Sequence, residues 1–148
     1  IILKVNSTNL NHKYQMKAKF KIMLIVVFVS INLGFGQSRI GSLMTDIREE
    51  FNDANFQLES GVNQHDIPYI SIKTERASVM YFFDENKVCY LTVIIPDDQG
   101  ALNFYVEMYN KQYVIVSTKE WKMYSANGIA TITLVYADEG YYFLWKSE

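Results

Sequence analysis

The sequence predicts an α+β domain in which helices pack on one face of an antiparallel β-sheet. Two amphipathic stretches carry apolar residues at helical spacing, and eight short stretches between turn signals are rich in β-branched and aromatic residues. The predicted order is helix, four strands, helix, four strands (α-ββββ-α-ββββ). Because the halves 38–96 and 98–146 repeat one pattern, the sequence also suggests a duplicated unit of one helix and a four-stranded meander.

Each predicted helix is defined by an apolar stripe and a capping residue. The first is expected over 38–52, with acidic residues opposite its stripe and Ser38 or Ser42 as the N-cap. The second is expected over 98–112, with one residue of Asp97-Asp98 as the N-cap. The stripes consist of Ile40, Leu43, Met44, Ile47 and Phe51 in the first helix and Ala101, Leu102, Tyr105, Met108 and Tyr109 in the second.

The predicted strands are separated by polar turns. Asn127-Gly128 lies between two alternating runs and is a strong hairpin signal, because both residues accept positive φ. Asp138-Glu139-Gly140 is the predicted turn before the last strand. The strands are expected at 55–60, 69–74, 78–84, 88–96, 113–118, 121–125, 129–136 and 141–146.

Two segments show the repetition most directly. Residues 77–93 (ASVMYFFDENKVCYLTV) and 129–145 (IATITLVYADEGYYFLW) are both β-rich, aromatic runs around an acidic turn. The order of elements resembles the doubled helix-plus-meander layout of the beta-lactamase inhibitor proteins and, less closely, the secretion-chaperone fold. The resemblance implies an arrangement of helices and strands and carries no residue role.

Residues 16–36 have the layout of a secretory signal peptide. Met16 is followed by three lysines, a short apolar run and a small-x-small site at Gly34 and Gly36. The apolar run is about half of the roughly 20 residues that cross a bilayer. An uncleaved membrane anchor and a buried core helix are the alternatives, but a core helix should be apolar on one side only.

Cleavage is therefore expected between Gly36 and Gln37. Residues 1–15, which precede the first methionine, are interpreted as a non-native upstream extension. The single domain is then 37–148, exported to the periplasm or outside the cell, and soluble and free of the membrane after cleavage. An uncleaved leader would instead leave a membrane-tethered domain.

The charge of residues 37–148 narrows the classes of partner. This segment has nine basic and 16 acidic residues, a formal net charge of −7 at pH 7. Nucleic-acid binding needs clustered lysine and arginine, so a nucleic-acid partner is not expected. Cys89, the single cysteine, cannot form an internal disulfide.

Signals for catalysis are few. His65 beside Asp66 could form an acid–base pair or hold a metal, and Cys89 could be a nucleophile with His65 as its base. The simpler interpretation is a solvated loop histidine and a buried thiol, because Cys89 lies within an apolar strand and no second ligand is suitably spaced. No glycine-rich phosphate loop, G-x-S-x-G or HExxH motif occurs. Thus no catalytic residue, metal ligand or cofactor is predicted, and a small exported hydrolase is the alternative function.

The sequence does predict an interaction surface. The last predicted strand is apolar on both faces, so one face is expected under the helices and the other in solvent. An aromatic row beside two threonines is expected on the solvent face, as a site for a protein partner, a second copy or an extended ligand. Loops, sheet curvature or the other half of the duplication could cover the row instead. The predicted site residues are Tyr141, Phe143, Trp145, Thr131 and Thr133.

Overall fold

A computed structural model describes residues 39–52, 56–126 and 128–148. Residues 38–148 group into one compact unit. The predicted signal peptide and upstream extension lie outside the described residues, as does Ser38.

The structure contains two helices and one antiparallel sheet of eight strands among the described residues. The strand order across the sheet is β1-β2-β3-β4-β8-β7-β6-β5. The predicted α+β class with an antiparallel sheet is confirmed. The elements are α1 Met44–Glu50, β1 Gln57–Val62, β2 Pro68–Lys73, β3 Ala77–Phe83, β4 Cys89–Pro96, α2 Gln99–Gln112, β5 Val114–Ser117, β6 Glu120–Ser125, β7 Gly128–Ala137 and β8 Gly140–Ser147.

Helix α1 is much shorter than predicted, and the prediction of a capping serine at Ser42 is wrong. Leu43 is the N-cap and makes no side-chain capping bond. The preceding backbone pairs with the start of β4 instead: the Gly41 amide donates to the Cys89 carbonyl, and the Cys89 amide donates to the Ser42 carbonyl. Because of this pairing the chain is extended before Leu43, and the helix begins only at Met44.

Helix α2 begins and ends close to the predicted positions. Asp98 is its N-cap, and its carboxylate accepts a 2.8 Å hydrogen bond from the Ala101 amide. The predicted apolar stripe is buried at Ala101, Leu102, Tyr105 and Tyr109, and Met108 is half-buried.

The hairpin turns follow the sequence signals. Ala137 pairs with Gly140, which leaves Asp138-Glu139 as a two-residue turn, and Gly140 has φ +142°. Ser125 pairs with Gly128 across the β6–β7 hairpin, while Asn127 of the predicted turn lies outside the described residues.

Both helices pack on the same face of the sheet, here called the covered face. Ile70, Tyr81, Thr92, Trp145, Ile132 and Trp121 are cross-strand neighbours in this order and are all buried. Phe51, at the end of α1, stacks on Tyr81 with ring centroids 6.2 Å apart. Tyr109 of α2 lies 5.5 Å from Trp145. The core therefore fills the space between the two helices and this face.

Candidate interaction surface

The structure places the predicted aromatic row in the core. Phe143 and Trp145 are 0% exposed, and Tyr141 is half-buried. The register of β7 and β8 pairs Ile132 with Trp145 and Leu134 with Phe143. The expectation that the row faces solvent beside the threonines is wrong, because the row shares its face with aliphatic side chains under α2.

Tyr109 of α2 packs directly against the buried part of this row. Its ring meets Trp145, Phe143 and Trp121 edge-on, with centroid distances of 5.5, 5.0 and 5.7 Å. The Trp145 indole Nε1 donates to the Tyr109 hydroxyl over 3.3 Å. Burial raises the pKa of Tyr109 well above its ordinary value, although this hydrogen bond acts in the opposite direction.

The two predicted threonines lie on the opposite face of the sheet. Thr133 pairs with Leu144, and Thr131 pairs with Lys146. The Thr131 hydroxyl donates to the Glu148 carboxylate over 2.8 Å, and Lys122 Nζ lies 2.6 Å from the same carboxylate. Thr131 is thereby fixed in a small polar network rather than beside the aromatic row.

This opposite face, here called the open face, carries an apolar patch at its centre. Met80 pairs with Val93, Val93 pairs with Leu144, and Phe82 pairs with Leu91, so the five side chains lie side by side on β3, β4 and β8. All five are half-buried, and the core of the described residues includes none of them. We call these five residues the open-face patch: Met80, Phe82, Leu91, Val93 and Leu144.

Polar residues border part of the open-face patch, while Tyr69 flanks Phe82 and the exposed Ile95 follows Val93 along β4. Ser71 precedes Met80 in one cross-strand row, and Thr133 and Glu120 follow Leu144 in that row. Lys146, Thr131 and Lys122 continue the other row beyond Leu91. A partly exposed apolar centre with polar neighbours is typical of protein interaction surfaces.

Comparison with known proteins does not identify a family for this chain. The chain matches no family model, and no curated protein or solved structure shows significant similarity to it. Neither helix of the described residues is long and apolar enough for a membrane crossing. Within the same residues, no three His, Cys, Asp or Glu side chains are grouped as a metal ion requires.

His65 and Cys89 occupy different environments. His65 is exposed in the β1–β2 loop, where its amide donates to the Asn63 side chain, and it lines a shallow depression with Asp84 and Glu85. Cys89 is 1% exposed, as predicted, and its Sγ lies 3.6 Å from the Thr92 hydroxyl. Burial raises the pKa of this thiol, which disfavours the reactive thiolate.

The burial of Cys89 predicts a thiol that reacts only after unfolding. We expect negligible labelling of the folded protein by a thiol reagent at neutral pH and complete labelling in denaturant. The double variant Cys89→Ser, Tyr90→Cys is the matched control, because the side chain of Tyr90 is exposed. Labelling of the folded parent as fast as that control would contradict the buried position.

Proposed function

We propose that this chain is a small exported, non-catalytic binding domain whose open face takes a partner protein. The open-face patch is the observation that carries the proposal. An antiparallel sheet with one face in water normally alternates apolar and polar side chains, and the outward side chains are then polar. Here the outward side chains at the centre of the sheet are apolar on three neighbouring strands.

The position of the patch supports binding without a large rearrangement. Each of its strands is paired on both sides, because β3, β4 and β8 lie between β2 and β7 in the sheet. The patch also lies directly behind a packed core, since alternate residues of the same strands form the covered face. Such a surface is rigid before it binds, and this lowers the entropic cost of association.

The distribution of charge favours an apolar protein surface as the partner. The patch contains no charged residue, whereas acidic residues concentrate at turns and caps, for example Asp84-Glu85 and Asp138-Glu139. Lys122 at the rim already pairs with Glu148. Export rests on the signal-peptide pattern of 16–36, and the net charge of −7 keeps a nucleic-acid partner outside the proposal.

A binding experiment with paired variants tests the proposal. The exported product serves as bait for the native exported fraction, beside the variants Met80→Lys and Leu144→Lys. The matched control is Tyr124→Lys, because Tyr124 is exposed and lies outside the patch. We expect a protein that the parent and the control retain and that both patch variants lose, while the melting temperatures of all four stay similar. Equal retention by folded patch variants, or no protein retained by the parent, would contradict the proposal.

We also propose that the two halves descend from a duplicated unit. The support is the order of elements, since one helix and four strands occur twice. When 77–93 is aligned residue by residue with 129–145, equivalent positions do not lie on the same face of the sheet. For example, Val79 lies on the covered face, and the residue aligned with it, Thr131, lies on the open face. A duplicated unit therefore requires a shift of one residue between these segments.

A further inference from the structure

We propose that the outer edge of β5 pairs with β5 of a second copy, as an antiparallel strand pair about a two-fold axis. The sheet would then continue from one protomer into the other. This inference goes beyond the proposed function, because it uses the edge of the sheet and leaves the open face free.

Strand β5 is the last strand of the sheet, and it is unusually apolar for an edge. Val114, Ile115 and Val116 are 54%, 55% and 50% exposed. No charged residue or proline occurs from 113 to 118. Charged residues and proline are two of the devices that protect natural edge strands against pairing, and β5 has neither, although it is only four residues long and its register with β6 shifts between Ile115 and Ser117.

The opposite edge of the sheet differs from β5 in this respect. Strand β1 carries Glu59 at its centre, and Ser60 and Gly61 follow it. Pairing of β1 with its own copy would bring two carboxylates close together, which destabilises a strand pair. The protein thus has one edge strand with a charge that opposes self-pairing, β1, and one without such a charge, β5.

A second copy is the occupant that the residues of β5 favour. In a two-fold antiparallel pair centred on Ile115, this residue faces its own copy and Val114 faces Val116. β-Branched pairs of this kind stabilise adjacent strands, and no like charges stand opposite each other. The pairing also closes after two copies, whereas pairing of β5 with β1 would continue into a filament.

The surroundings of β5 keep the edge rigid and accessible. Tyr113, directly before the strand, packs on Trp145 with ring centroids 5.5 Å apart. Lys119 in the following turn places its ammonium group 4.7 Å from the centre of the Tyr136 ring, so its charge is held against β7. The nearest charges along the chain, Lys111 and Lys119, are both basic in a domain that is acidic overall. Strand β5 itself therefore adds no negative charge to this edge, and the acidic residue next to it is Glu120 of β6, which pairs with Ser117.

Sedimentation velocity of the exported product, from about 1 μM to about 1 mM, tests the proposal, because weak interfaces dissociate in this range. The variant Val116→Lys places a charge on the edge. The control Val62→Lys makes the same change at an exposed valine of β1, the other edge. We expect a monomer–dimer equilibrium in the parent and in Val62→Lys, and a dissociation constant at least tenfold higher for Val116→Lys at an unchanged melting temperature.

A parent that stays monomeric up to the highest concentration would overturn the proposal. Equal dimerisation of folded Val116→Lys would overturn it as well, and loss of the dimer only in Leu144→Lys would assign the contact to the open face. If Val116→Lys fails to fold, hydrogen exchange of the parent decides: amides in 114–117 should exchange more slowly at high concentration, and unchanged rates would overturn the proposal. Retention of a partner protein is measured separately, so the two proposals can fail independently.

Discussion

Replacing Trp145 by alanine should lower the free energy of unfolding by about 3–5 kcal/mol. The indole is fully buried between Ile132, Tyr109 and Tyr113, and its removal leaves a cavity and an unpaired Tyr109 hydroxyl. For a domain of this size the midpoint of thermal unfolding should fall by about 10–30 °C. Urea titration followed by circular dichroism gives the free energy directly.

The matched control for this change is Tyr124→Ala. Tyr124 is 60% exposed, so its removal should change the stability by no more than about 0.5 kcal/mol. If Trp145→Ala proved as stable as this control, the indole would not lie under α2, and the aromatic row would return as a candidate for the binding surface.

Alkaline pH should unfold the domain through its buried tyrosines. Burial raises the pKa of both Tyr81 and Tyr109 above the ordinary value for tyrosine, because both rings are fully buried. In the unfolded chain both ionise near pH 10, so above this pH the unfolded state binds fewer protons than the folded state. The stability is therefore intact below about pH 10 and falls by about 1.4 kcal/mol per pH unit for each such tyrosine above it.

The measurement is a pH titration with tyrosinate absorbance and circular dichroism recorded together. Tyr81 and Tyr109 should ionise only in the step in which the circular dichroism is lost. Complete ionisation of all tyrosines with the folded spectrum retained would mean that neither ring is buried.

Most elements of this fold were predictable because their signals are local. Alternation in β2 and β7, the apolar stripe of α2 and the two-residue turn at Asp138-Glu139 each depend on neighbouring residues. The bounds of α1 were not predictable in this way. They depend on hydrogen bonds between 41–42 and Cys89, which are far apart in the sequence.

The wrong assignment of the aromatic row has a different cause. Strand β8 is apolar on both faces, so its composition alone does not show which face the helices cover. The register would have decided the question: counting back from a two-residue turn at Asp138-Glu139 puts Trp145 opposite Ile132. The open-face patch was harder to foresee, because its five residues come together only when β4 pairs with β8.

The place of β8 in the sheet has a consequence for how the protein folds. The last strand in chain order lies at the centre, where it joins β4 to β7 through pairs such as Ile94 with Phe143. Contacts between such distant parts of a chain form slowly, since a long loop must close before they add stability. Until β8 pairs, no sheet hydrogen bonds join the described strands β1–β4 to β5–β7, so we expect the complete core to form only when β8 is in place.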